Sequence, residues 1–524
     1  MITYNFYKST KILSQFATVC LLIFVLLYQF NCSKKSTEED VILAKVGDEV
    51  ITVKDFRYNY EFGLPILKTG TDPKKTYLDY MIKEKILAKH GKKMGLAKSD
   101  RVSQLENELI DELLVEEIFK KEVHEKINIT PDEIKDAITK SKVSWKLRYW
   151  AEPNEEYAAN ISRAMHARGY SAVVDEMLTS NPEIKLKPKD FDTDYLTWLE
   201  VSPELLIKIK DLPIGEISDP VELNGMFFIF QIVDIRREPL SDYEIKNKSK
   251  TFEKILFARK VQDKATQFVS EFMTPKNVVT KGESFRKIAK ALAEWDEIDI
   301  EERGRFLEKV LSAEEDDDAL FELRNNLDKT LVTFEKNKWT VEDFLKRFRE
   351  KSLKFPSQGG KNFRSQLNQQ IAITVRDHFF IKEAKKRKLD TSKPVQKELI
   401  QWRNKWVYEE MRGQLTADLN LTDEQARNYF NKYKDKYKIR WDDEPKFNSF
   451  KNQAKRDVYI QNAKMILNQK VDSLKTIYPV SIDYAVLDSI QVIDFKKSKW
   501  ISLQLYKQSS NRMALPIVDP AWGL

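Results

Sequence analysis

Past residue 32 this 524-residue chain has no cysteine, since its only two are Cys20 and Cys32. A disulfide or a thiolate metal site in the remainder is therefore excluded. Histidine is nearly as scarce, and the four present (His90, His124, His166, His378) never fall in an H-x-x-x-H pair, which removes the usual helical zinc site. All four fall in segments with helical periodicity and read as surface helical residues. Glycine is low, at 14 residues, and neither a P-loop nor a dinucleotide fingerprint is present. The acidic run Glu314–Asp318 lacks the spacing and glycine of an EF-hand and reads as a solvated loop. Charge of one sign is missing as well. The 89 basic and 82 acidic side chains are interspersed, giving +7, a pattern of two-sign helix faces rather than a nucleic-acid footprint. No cofactor and no metal is expected.

What is present begins with a distinct amino end. Lys8 and Lys11 precede an apolar run from Phe16 to Tyr28, followed by Asn31-Cys32-Ser33 and a polar tract. This order reads as an export signal. Three alternatives stay open: a lipoprotein leader of residues 1–31 with Cys32 as the lipid attachment site, an uncleaved membrane anchor over about Ile12–Phe30, or simple secretion. Residues 32–41 form a linker. Export to an oxidising compartment agrees with a folded part free of cysteine. The length allows about three domains, and 42% apolar content is enough for real cores. The 11% aromatic content has two readings, amphipathic helix packing or a broad, partly apolar cradle for unfolded segments.

The chain repeats itself. Val46–Phe56 reads as strand, turn, strand and a helix capped by Thr52 with Asp55 three residues on, and Phe334–Phe344 repeats it with Thr340 and Asp343. Ile86–Leu96 pairs with Phe379–Leu389. The long amphipathic helices Val102–Val123 and Val395–Leu415 follow, each ending at a new cap, Thr130-Pro-Asp-Glu133 and Thr422-Asp-Glu424. The offset between copies drifts only from 288 to 293 residues. After the second copy, Phe450–Leu474 reads as one long basic helix and Val480–Leu487 as a short strand.

Between the copies lies Leu212-Pro-Ile-Gly-Glu-Ile-Ser-Asp-Pro-Val-Glu-Leu-Asn-Gly225, then Phe227–Arg237. Pro213 and Gly215 end a helix, Ile217–Leu223 reads as a strand, Asn224-Gly225 as a hairpin turn, and Phe227–Val233 as a strand buried on both faces. This segment resembles the carboxyl end of parvulin-type peptidyl-prolyl isomerase domains. The repeated V-x-G-x-x-I-T-x-x-D-F module resembles the amino-terminal helical body of SurA/PrsA/PpiD-type exported folding factors. Further matches are the first strand at Val143–Trp150, helices at Glu155–Arg168 and Tyr170–Leu178, and a weak copy of D-L-G-W-F at Tyr195–Leu199. At the two positions where parvulins carry histidine, this chain has Leu147 and Phe228.

The resemblance implies an α+β, mostly α chain, with two SurA-N-like helical chaperone modules and one parvulin-like α/β domain. The expected division is module 1 over 42–141, the parvulin-like domain over 142–239, a helical connecting region over 240–328, module 2 over 329–438, and a terminal helix and strand over 439–524. It implies a peptide-binding groove formed by Leu147, Met177, Trp198, Leu199 and Phe228, with no catalytic residue assigned and isomerase activity weak or lost. The implied partners are unfolded exported polypeptides and, through the amino end, a membrane, with the chain on the periplasmic face of the cell envelope and no nucleic acid bound. The alternatives are an active prolyl isomerase with an unorthodox site and a non-catalytic envelope assembly scaffold.

Overall fold

The computed structural model describes residues 41–180, 186–223, 225–299, 304–348, 353–355, 362–440, 444–492, 513 and 515–523. Cys32 and the amino-terminal apolar run lie outside them. Among the described residues the fold is mostly helical with three small antiparallel sheets. It divides into two compact units, Val123–Gln267 and a second that joins Cys32–Glu122 to Phe268–Leu524. The first copy up to Glu122, the second copy, most of the connecting region and the terminal segment thus make one body, which the linear divisions at 141/142, 239/240, 328/329 and 438/439 do not convey.

In the larger unit the first copy opens with β1 (Ile42–Val46) and β2 (Glu49–Thr52), turning at Gly47, whose φ of +60° suits a residue without Cβ. Thr52 then caps α1 (Val53–Phe62) in a full capping box with Asp55. Two long helices follow, α2 (Pro73–Lys93) and α3 (Asp100–Glu122). The smaller unit begins with α4 (Pro131–Lys140), boxed by Thr130 and Glu133, with Pro131 at its first position, where the missing N–H costs nothing. It continues through β3 (Val143–Glu152), α5 (Glu155–Arg168), α6 (Tyr170–Thr179), β4 (Asp192–Thr197), α7 (Pro203–Ile209), β5 (Val221–Leu223) and β6 (Met226–Arg237). The sheet order is β4-β3-β6-β5, antiparallel throughout. Helix α8 (Asp242–Met273) leaves this unit and ends in the larger one.

The larger unit resumes with β7 (Val279–Thr280), α9 (Gly282–Glu297), α10 (Phe306–Ser312) and α11 (Asp318–Arg324). The second copy comprises β8 (Thr330–Phe334), β9 (Asn337–Thr340), α12 (Val341–Leu345), α13 (Phe363–Lys386), α14 (Lys393–Thr416) and α15 (Asp423–Lys432). Thr340 and Thr422 form capping boxes with Asp343 and Gln425. The chain closes with α16 (Phe447–Lys475), β10 (Val480–Ile482) and α17 (Tyr484–Ser489). The strand expected over Val480–Leu487 stops at Ile482, because the Asp483 carboxylate accepts the Val486 N–H and starts a helix.

Each hairpin gains its third strand from far away in sequence. Strand β10 pairs with β1, Ala44 opposite Ile482, and β7 pairs with β8, Val279 opposite Thr333. The supporting bonds match one for one. Gly47 N–H donates to Pro479 O at 2.9 Å as Glu335 N–H donates to Lys276 O at 2.8 Å. Asp483 N–H donates to Leu43 O at 2.9 Å as Lys281 N–H donates to Leu331 O at 2.7 Å. The duplication therefore runs further than the sequence pattern implies: α8 and β7 correspond to α16 and β10, and the domain built on β3–β6 is an insertion between α4 and α8.

The two copies share a helical core. Helix α14 packs on α2 and α3, and α13 packs on α3, where Phe119, Phe268, Phe272 and Phe380 meet with ring centroids 5.1–6.0 Å apart. Buried Phe56 and Phe344 fill matching places at the start of each copy, each contributing about 1.5–3 kcal/mol of burial.

Candidate peptide-binding face

Alternation along β3 and β6 splits their side chains between two cores. Trp145, Leu147 and Tyr149 of β3 join Phe228, Phe230 and Ile232 of β6 on one face. Trp150 and Ile229 point to the other, against α5 and α6. Leu147, in one position where the parvulin pattern has histidine, lies opposite Ile232 at a register shift in the β3–β6 ladder. The Leu147 N–H donates to Thr193 Oγ1 at 3.0 Å. The extra residue of the shift, Val233, lies on β6, and the unbroken alternation of β3 faces Leu147 inward, where it is 1% exposed. Phe228 is buried on the same face, its ring 6.2 Å from that of Tyr149 and 5.9 Å from Phe230. Leu147 and Phe228 are thus apolar groups facing one core.

The signature Gly-Glu-Ile-Ser-x-Pro has a visible physical job. Gly215 N–H donates to Ile232 O at 2.8 Å and Ser218 N–H to Phe230 O at 2.7 Å. The Ser218 hydroxyl accepts from Phe230 N–H at 2.9 Å. Ile217 forms a single bridge to Gln231, so the strand expected over Ile217–Leu223 is confined to Val221–Leu223. The segment thus holds β6, and with it Phe228, in register.

The five residues expected to form one groove do not share a face. Leu147, Trp198 and Phe228 belong to one core, and half-buried Leu199 packs against it. Met177 of α6 packs with Trp150 and Tyr170 on the opposite face. The α6 stripe is apolar as expected, but the topology lays it behind the sheet. Trp198 serves as an anchor: its indole N–H donates to Ala137 O of α4 at 3.0 Å, and the Arg259 guanidinium of α8 stacks 4.2 Å from its ring. Arg259 also donates to the carbonyls of Trp198 and Leu199, each at 3.0 Å. Helices α4, α7 and α8 close over this face through Ile138, Leu205, Ile209 and Phe252, while Leu206, Leu212, Leu223 and Met226 remain half-buried around it.

Among the buried residues of this core only Tyr149 carries an ionisable group, and burial raises its pKa. At neutral pH it is a neutral hydroxyl that can donate but cannot take up a proton. The sequence patterns gave no sign of it, since an aromatic on a strand reads as packing. The other charged groups sit at the margins. Arg148 binds Asp192 through Nε at 2.5 Å, a contact that with burial set against it holds the guanidinium above its ordinary range. Lys142 binds Glu244 at 2.7 Å, and that contact, with Lys248, lowers the Glu244 carboxyl to about 2. The face is apolar, and among the described residues no general acid–base pair lies in its core.

All four histidines lie elsewhere. His166 is exposed on α5. His90, His124 and His378 are not simple surface residues. They are half-buried and lie 6.3 Å from Tyr478, 6.1 Å from Phe257 and 5.1 Å from Trp339, ring to ring. No group of three His, Cys, Asp or Glu suited to a metal exists among the described residues, and no helix among them is long and apolar enough to cross a membrane.

No protein-family model and no curated protein matches the chain. Solved structures similar to it include the peptidylprolyl isomerase PrsA of Bacillus anthracis, at 18% identity over 36% of this chain and 96% of that one, with a TM-score of 0.21. PrsA of Bacillus cereus matches at 17% identity over 52% of this chain and 95% of that one, TM-score 0.22. A structure from work on the SurA-like chaperones PEB4 and Cj1289 of Campylobacter jejuni matches at 14% identity over 46% of this chain and 100% of that one, TM-score 0.21. At such identities and scores, the reading of function rests on this chain's own residues.

Proposed function

We propose that this chain is an exported folding factor that holds unfolded polypeptides, with a parvulin-like domain whose isomerase activity is weak or lost. The observation that carries the reading is the pair Leu147 and Phe228, buried together where the parvulin pattern places histidines. Uncatalysed rotation of an X–Pro bond faces a barrier of about 18–20 kcal/mol. Lowering it at this face would rest on burial and twist alone, without proton chemistry. Binding needs only burial, which the half-buried rim of Leu199, Leu206, Leu212, Leu223 and Met226 supports. Leu147, Trp198 and Phe228 would form the floor under such a segment.

In this reading the helical unit acts as the chaperone body, and the amino end tethers it to a membrane on the periplasmic side, by lipid on Cys32 or by an uncleaved anchor. Mass spectrometry of the mature amino terminus separates those two. The functional test is light scattering of a diluted, urea-unfolded outer-membrane protein. Substoichiometric to equimolar amounts of the chain should suppress aggregation without nucleotide. Unchanged scattering, together with recovery of one stoichiometric partner in a pull-down, would favour the assembly scaffold instead.

A further inference from the structure

The chain's own tail lies in a groove of the helical unit as a bound peptide would. Residues 515–523, Leu-Pro-Ile-Val-Asp-Pro-Ala-Trp-Gly, form no strand and only one short 3-10 turn, Pro520–Trp522. They are gripped through backbone groups and through the buried side chains of Val518, Asp519 and Trp522. The Asn59 side chain of α1 reads two positions that flank Ile517, its amide donating to Pro516 O at 3.2 Å and its carbonyl accepting from Val518 N–H at 3.3 Å. Glu84 of α2 accepts from Asp519 N–H at 2.6 Å. Side chains that clamp main-chain groups tolerate many sequences, as in recognition of extended peptides.

Two side-chain sites add selectivity. Asp519 accepts from the Tyr408 hydroxyl at 3.0 Å and pairs with Arg412, both on α14. Trp522 is 1% exposed and stacks on Tyr80 of α2 at 6.1 Å and on Tyr408 at 6.5 Å. Lys83 lies 5.5 Å over the same ring. The fit has a flaw, however. The Trp522 indole N–H is buried and meets no acceptor among the described residues, a loss that weakens the hold of this occupant.

We propose that this groove is a peptide-binding site, and that its intended occupant is an extended segment of an unfolded polypeptide carrying an acidic residue, a proline and then an aromatic. The chain's own tail holds the place until such a segment displaces it. That the displacing segment is a client rests on the holder reading above. Exchange of tail for peptide does not.

The test uses the full chain and a fluorescein-labelled peptide copying residues 515–523, followed by fluorescence polarisation. Trp522→Ala should loosen the tail and tighten binding of the labelled peptide at least ten-fold over the parent. The same peptide with its Asp replaced by Asn should bind the variant at least five-fold more weakly. A folded variant that binds no better than the parent would overturn the proposal. Native-state hydrogen exchange on the unaltered chain covers the case in which the variant fails to fold. The amides of Val518 and Asp519 should exchange at least a hundred-fold faster than the central amides of α2 and α14. Equal protection would mean that the tail is a permanent part of the core, and the proposal would fail. Tail release without aggregation suppression would leave the groove standing and remove the holder reading.

Discussion

His378 shows how packing sets the behaviour of single groups in this protein. It lies 5.1 Å from the Trp339 ring, and its pKa is lowered, first by burial and then by Arg347 and Lys382, with Asp111 opposing. Burial, with Lys470 and Lys93, lowers His90 in the same direction. A lowered folded-state pKa means that the unfolded chain binds the proton more readily. The stability involved is therefore complete above the ordinary histidine value of about 6.5 and is lost as pH falls through it. Buried Glu84 and Asp377, both raised mainly by burial, work in the opposite sense, since the folded chain holds their protons more readily than the unfolded one. The melting temperature should fall between pH 7.5 and 5.5, and His378→Gln should flatten that fall. An identical slope in parent and variant would contradict this assignment. None of it was legible in the sequence, because a histidine in a helical pattern reads alike whether its ring meets water or the far-off Trp339.

Helix starts were the most legible elements, since a capping box is written within four residues. Thr52 and Thr340 each accept from the N–H of an aspartate three residues on, at 3.1 Å in both copies. Thr52→Ala and Thr340→Ala should each cost about 1 kcal/mol in urea unfolding, with similar losses because the two caps are equivalent. A loss at one and none at the other would mean that the copies are not energetically matched. Strands β7 and β10 were the least legible. With two and three residues they have little period to read, and their partners lie far off in sequence. Met177 falls between these cases. The apolar stripe of α6 is plain, yet only the sheet topology decides which face it covers. Trp198 was legible only as a groove residue, and its carbonyl partner Ala137 sits on a helix 61 residues earlier.

Taken whole, the chain is one repeat used twice, with a sheet domain inserted in the first copy. Each copy's hairpin receives its third strand from the segment that closes the other, β7 onto β8 and β10 onto β1. Neither copy completes its sheet alone, which explains why the two form one compact unit rather than beads along the sequence. The inserted domain holds its strand register through the Ser218 and Gly215 bonds to β6, and its inner face is apolar. In the reading proposed above, scaffold and chemistry have separated: the motif that orders the strands is present, and no imidazole lies in this core. A protease-coupled assay of prolyl isomerisation with the full chain addresses this separation most directly. The rate should stay within a few-fold of the uncatalysed one across a panel of X–Pro peptides. Turnover at the level of a histidine-bearing parvulin would contradict it.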